Sequence, residues 1–137
     1  VNVTDLIKQH EGYSRTAYIC PAGYWTVGYG RNLQSTGISE KEAEMLLEND
    51  IDRARALLST ESYWAGLDGV RKAVLIDMVV NLGFQGYCQF KKLRGALEQQ
   101  NYADACAEMI QSKWYAQVGN RSIRLTQMMR TGEWPQK

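Results

Sequence analysis

HEGYSRTAYICPAGYWTVGYG, residues 10–30, changes its periodicity part-way and so decides how the chain begins. Just upstream, Val3, Leu6 and Ile7 recur at helical spacing, with Thr4 as a candidate N-cap side chain. The spacing predicts a short helix that ends at Glu11, with Gly12 ready to adopt a left-handed cap. From Ala17 the period falls to two. Cys20-Pro21-Ala22-Gly23 reads as a tight turn between Ala17–Ile19 and a second strand, Tyr24–Tyr29, which leaves through glycines. Alternation puts Trp25, Val27 and Tyr29 on one face of that strand and Thr26, Gly28 and Gly30 on the other, so the Thr26 face carries little bulk.

Downstream, Gly37 and the capping box Ser39-Glu40-Lys41-Glu42 open a helix of about twenty residues carrying Ala43, Leu46, Leu47, Ile51 and Ala54. Leu67–Leu82 is apolar on almost every side, the pattern of a central helix. Asp77 and Asn81 interrupt it four residues apart, and they read as buried hydrogen-bond partners, with a cleft lining as the alternative. Leu93–Leu97, Tyr102–Ile110 and Ser122–Met129 supply further helices, broken near Asn101, Gly119 and Gly132. The expectation is an α+β fold, one domain over 1–137 with two lobes and a cleft between them. The small lobe of helix and hairpin covers about 12–60. The larger, all-helical lobe covers about 61–137 together with 1–11, and the long helix after Ser39 joins the two.

The chain has 137 residues, 23% of them charged, and a formal net charge of +1. That balance argues against disorder and against general polyanion binding, so nucleic acid is not an expected partner. The charge is uneven. Acids dominate between Glu40 and Glu61, whereas Lys113, Arg121, Arg124, Arg130 and Lys137 give the C-terminal region a basic field. Cys20, Cys88 and Cys106 are too few for a disulfide scaffold. No run is long enough to span a membrane, and the start at Val1 leaves room for an upstream export or anchor segment.

Within the opening stretch, Glu11, Cys20 and Thr26 form a candidate catalytic set. A general acid has to hold a proton, and the negative end of a helix favours a protonated carboxyl, which suits a glutamate closing the first helix. Across a hairpin, the Cys20 thiol and the Thr26 hydroxyl can meet at one spot and hold a water. Glycoside hydrolysis needs this combination: an acid for the leaving oxygen, and on the other side of the sugar a group that attacks or delivers water. Two alternatives stay open. One is a thiol peptidase with Cys20 as nucleophile and His10 as base, and the other is a non-catalytic saccharide-binding module using Trp25, Trp64, Trp114 or Trp134.

HEGYSRTAYICPAGYWTVGYGRNL, GVRKAVLIDMVVNLG, SKWYAQVGNRSIR and RTGEWP together resemble the phage-type lysozymes, the muramidases of glycoside hydrolase family 24. The resemblance spans almost the whole chain in the same order. It implies a lysozyme-like fold and an endolysin that cleaves the β-1,4 bond between N-acetylmuramic acid and N-acetylglucosamine in bacterial peptidoglycan, without metal or cofactor. Glu11 would be the general acid, and Thr26 would help to hold the hydrolytic water. Cys20 stands where the best-known members carry aspartate, and it could act as base, weak nucleophile or water-positioning dipole. Arg121 is implied to pair with the catalytic glutamate, while Gly30, Asn32, Val80 and Asn81 are implied saccharide contacts by position. Arg31 replaces the family's usual histidine. The protein is expected to act as a monomer on the cell wall after synthesis in the infected bacterial cytoplasm.

Overall fold

The computed structural model describes residues 2–136. Its elements run α1 (Val3–Glu11), β1 (Ser14–Ile19), β2 (Trp25–Gly28), β3 (Arg31–Asn32), α2 (Glu40–Leu58), a 3-10 turn (Trp64–Gly66), α3 (Gly69–Leu82), α4 (Phe84–Cys88), α5 (Lys91–Glu98), α6 (Tyr102–Ile110), α7 (Lys113–Val118) and α8 (Asn120–Thr131). The α+β class therefore holds. The chain divides into two compact units, one ending at Leu46 and the other starting at Leu47, so the division falls inside α2.

The first unit contains α1 and an antiparallel sheet in the order β1-β2-β3. The N-cap of α1 is Asn2, whose side-chain oxygen accepts from the Asp5 amide at 2.9 Å, and not Thr4. Both residue types cap well, so the sequence alone does not choose between positions two apart. Gly12 ends the helix as expected, its N–H donating to the Lys8 carbonyl at 2.9 Å. With φ +69° and ψ 163°, however, it lies outside the left-handed helical region, in a conformation that belongs almost wholly to glycine. The expected capping box is formed. The Ser39 hydroxyl accepts from the Glu42 amide at 3.1 Å, and the Glu42 carboxylate accepts from the Ser39 amide at 2.9 Å.

The second unit holds the core. Val74, Leu75, Met78 and Val79 of α3 are buried together with Tyr87, Leu93, Leu97, Met109, Trp114, Leu125 and Met129, so α3 is the central helix its composition foretold. Asp68 caps it, accepting from the Arg71 amide. The Arg71 guanidinium donates from Nε to the Met129 carbonyl at 2.7 Å and from Nη2 to the Arg130 carbonyl at 3.0 Å, while Nη1 bonds Asp68. It also stacks 3.8 Å above the Tyr102 ring centroid. A cation thus closes the carbonyl end of α8, where the helix dipole is negative. Asp77 and Asn81 are not buried as expected. Both are bonded but solvent-accessible: Asp77 meets Arg121 of α8 and Asn81 meets Trp114 of α7, at the margin of the helical packing.

Candidate active site

Glu11 is the last residue of α1, and its side chain lies across the backbone of Gly30. A Cβ at position 30 would stand 2.3 Å from Glu11 Oε2 and 2.6 Å from its carboxyl carbon, so the end of the Glu11 side chain would have to move. Gly30 also has φ +76°, which a side chain would strain. The glycine therefore makes room for the acid. Tyr29 secures the same junction, since Tyr13 packs on it with ring centroids 5.7 Å apart and Lys8 Nζ sits 5.3 Å from its ring centre.

Cys20 and Thr26 come together on the hairpin. The Cys20 amide donates to the Tyr24 carbonyl at 2.9 Å, and Gly23 N–H donates to the Cys20 carbonyl at 2.8 Å. Gly23 thus takes the place Tyr24 would hold in a regular ladder. The freed Tyr24 N–H is directed to the Cys20 side and is the main influence lowering the thiol below its ordinary value. Partial burial opposes it, and the Thr26 hydroxyl and the amides of Ala22 and Gly23 add to the lowering. Thr26 is only 3% exposed, and its hydroxyl donates to the Tyr24 carbonyl at 2.9 Å. A hydroxyl has one proton, so Thr26 serves either that carbonyl or the sulfur.

The sheet register sets Tyr18 opposite Thr26 and Thr26 opposite Asn32, so these three form one row. Ile19 stands opposite Trp25 on the other face, and Trp25 is 49% exposed. Alternation had marked the Thr26 face as bare, and in the folded unit it is the covered one.

Beyond the hairpin, Arg31 Nη1 pairs with Glu42 Oε2 at 2.6 Å and donates to the Gly37 carbonyl at 3.2 Å. This bond first, and the Ser39 contacts next, hold the Glu42 carboxyl down at about 2. Asn32 is an expected saccharide contact, but its Oδ1 accepts from the amides of Gln34 and Ser35 at 3.0 and 2.9 Å, an Asx turn that leaves only the amide nitrogen free to meet a ligand. His10 is exposed on α1.

In the second unit, Arg121 Nε donates to Asp77 Oδ1 at 2.7 Å, a partner the sequence did not announce across 44 positions. Both line a cavity of about 370 Å³ with Arg124 and Trp134. Asn81 Oδ1 accepts from Trp114 Nε1 at 2.9 Å, and Val80 is partly exposed. Among the described residues, no three His, Cys, Asp or Glu side chains converge as a metal ligand set. Nor is any described helix long and apolar enough to cross a membrane.

The phage lysozyme family model matches residues 8–130, and the chain belongs to that family. Relatives agree. The chain is 27% identical to the probable T4-type lysozyme 1 of Dictyostelium discoideum over 161 aligned positions, covering 96% of this chain and 95% of that protein. It is 35% identical over 112 positions to an endolysin of Acyrthosiphon pisum secondary endosymbiont phage 1, covering 80% and 74%. A further match, at 23% identity, takes in 96% of this chain but only 28% of the pre-baseplate central spike protein Gp5 of Enterobacteria phage T4. The chain is accordingly a lysozyme-type peptidoglycan hydrolase.

Proposed function

We propose that this hydrolase cleaves the β-1,4 bond between N-acetylmuramic acid and N-acetylglucosamine, with Glu11 as general acid and with Cys20 and Thr26 handling the water or intermediate. The observation that carries the reading is local to the first unit: the Glu11 carboxyl is seated on Gly30, while Cys20 and Thr26 meet on the adjoining hairpin. Glu11 protonates the departing glycosidic oxygen. Cys20 acts as the thiolate, which its backbone surroundings favour: it takes the proton of an attacking water and becomes the thiol, or its charge stabilises the positive charge that develops on the ring. Thr26, beneath it, orients the thiol or a water through its single proton.

Family resemblance supports Arg121 as the cation that orients Glu11, and Gly30, Asn32, Val80 and Asn81 as saccharide contacts. At Gly30 that contact can only come from the backbone, and at Asn32 from the amide nitrogen. The basic side chains at Lys113, Arg121, Arg124 and Arg130 favour capture of an anionic wall by attraction that salt weakens. The protein works as a monomer on the cell wall.

Digestion of purified peptidoglycan tests the reading. New reducing sugar ends are expected, and new free amines without them would point instead to a Cys20–His10 peptidase. Glu11→Gln should abolish lysis while wall binding persists. Cys20→Ser should lower the rate, and Cys20→Asp should keep it.

A further inference from the structure

The pairing of β2 with β3 stops at Trp25. Thr26 pairs with Asn32, so Trp25 stands opposite Leu33, and Leu33 N–H donates to the Trp25 carbonyl at 2.8 Å. An antiparallel pair joined by one such bond ordinarily exchanges a second, from Trp25 N–H to the Leu33 carbonyl. A side chain takes that bond instead: Trp25 N–H donates to Gln34 Oε1 at 2.5 Å. Asn32 accounts for the exchange. Its Oδ1 accepts from the amides of Gln34 and Ser35, and its carbonyl accepts from those of Thr36 and Gly37. The chain therefore turns after Leu33 and brings the Gln34 side chain back to β2.

The Trp25 N–H and the Tyr24 carbonyl belong to one planar peptide group. That carbonyl accepts from the Cys20 amide and from the Thr26 hydroxyl, both at 2.9 Å. Gln34 thus holds one end of a rigid plane whose other end meets both hairpin residues, and tilting the plane moves its carbonyl away from both. Gln34 is exposed, so water can replace its bond at little cost in stability. Water satisfies the N–H without fixing its direction.

We infer that Gln34 is a positioning residue for the Cys20–Thr26 pair: its amide oxygen takes the place of the Leu33 carbonyl and fixes the Tyr24–Trp25 peptide to which both residues are bonded. The effect on hydrolysis rests on the reading given above for Cys20 and Thr26. The effect on the thiol follows from the hairpin alone.

Gln34→Leu removes the oxygen and keeps the bulk, and Gln34→Glu restores an oxygen. Two measurements test them, with thermal unfolding as the control for folding. One is kcat and KM on soluble peptidoglycan. The other is alkylation of Cys20 by iodoacetamide in the folded protein as a function of pH, read on the Cys20 peptide by mass spectrometry. In Gln34→Leu the alkylation midpoint should move to higher pH, because the backbone donors that face the thiol, the Tyr24 amide first, are no longer held in place. Its kcat should fall by about tenfold with KM within about twofold, since misplacement of a positioning group is felt in the reacting geometry. Gln34→Glu should recover most of the rate. If Gln34→Leu folds poorly, Gln34→Ser, too short to reach Trp25, replaces it.

An unchanged alkylation profile in Gln34→Leu overturns the inference, whatever the rate, and so does an equal loss of kcat in Gln34→Leu and Gln34→Glu. A displaced profile with kcat intact upholds the role of Gln34 at the hairpin and overturns the assignment of Cys20 to the reaction. Wild-type protein that releases no reducing ends overturns the hydrolase reading itself, and alkylation then decides the role of Gln34.

Discussion

Every fully buried apolar side chain among the described residues lies at Ala54 or later, whereas the only buried side chain before that point is Thr26, a polar one. The helical unit is organised by side-chain packing. The first unit is organised by backbone geometry and by polar and aromatic pairs: the Asn2 cap, the Cys20–Tyr24 turn, the Ser39–Glu42 box, the Arg31–Glu42 bridge and the Tyr13–Tyr29 contact. The contrast separates two tasks. Apolar packing sets stability, and the proposed chemistry is assigned to the unit where few side chains are buried.

The contrast breaks if core and hairpin truncations cost the same. Leu75→Ala should destabilise by about 2–5 kcal/mol in urea unfolding, because its fully buried site cannot collapse completely. Ile19→Ala, at a site half open to solvent, should cost under about 0.5 kcal/mol. Next in size comes Arg71→Ala. Losing its bonds to the Met129 and Arg130 carbonyls should cost about 2 kcal/mol in the same assay, more than any ion pair of the first unit.

Gly30→Ala sharpens the comparison from the other side. Its cost in stability should be near 1 kcal/mol, from a strained positive φ. Its cost in lytic rate should be about 100-fold, since the new methyl displaces the Glu11 carboxyl. Activity and stability should thus diverge. The smallest effect is expected at Glu42, whose carboxyl is held at about 2, below the ordinary value near 4.5, first by Arg31. A depressed carboxyl contributes stability above its unfolded value and loses that contribution as pH falls towards 2. Amide exchange around Ser39 should therefore quicken on acidification in the wild type. In Glu42→Gln the protection, taken relative to the intrinsic exchange rate at each pH, should be low throughout and unchanged over that window.

Much of this was legible in the sequence, and the exceptions have physical causes. The Ser39–Glu42 box and the apolar run of α3 are local patterns, and local patterns survive into the fold. β3 has two residues, while α4 and α7 have five and six, too short to show a period. Alternation separated Thr26 from Trp25 but cannot say which face is covered, because that depends on what packs on the hairpin from elsewhere in the chain. The Arg121–Asp77 and Arg31–Glu42 pairs join positions far apart in sequence, which charge patterning does not reveal. Glu11, Cys20 and Thr26 could be named from residue type and resemblance. That Gly30 forms the seat of the acid required the coordinates.

The seat under Glu11 also limits how such a chain can diverge. Position 30 is constrained twice: its positive φ strains any side chain, and a Cβ there obliges the end of the Glu11 side chain to move. A substitution at position 30 is thus also a change at position 11, because the two share one volume.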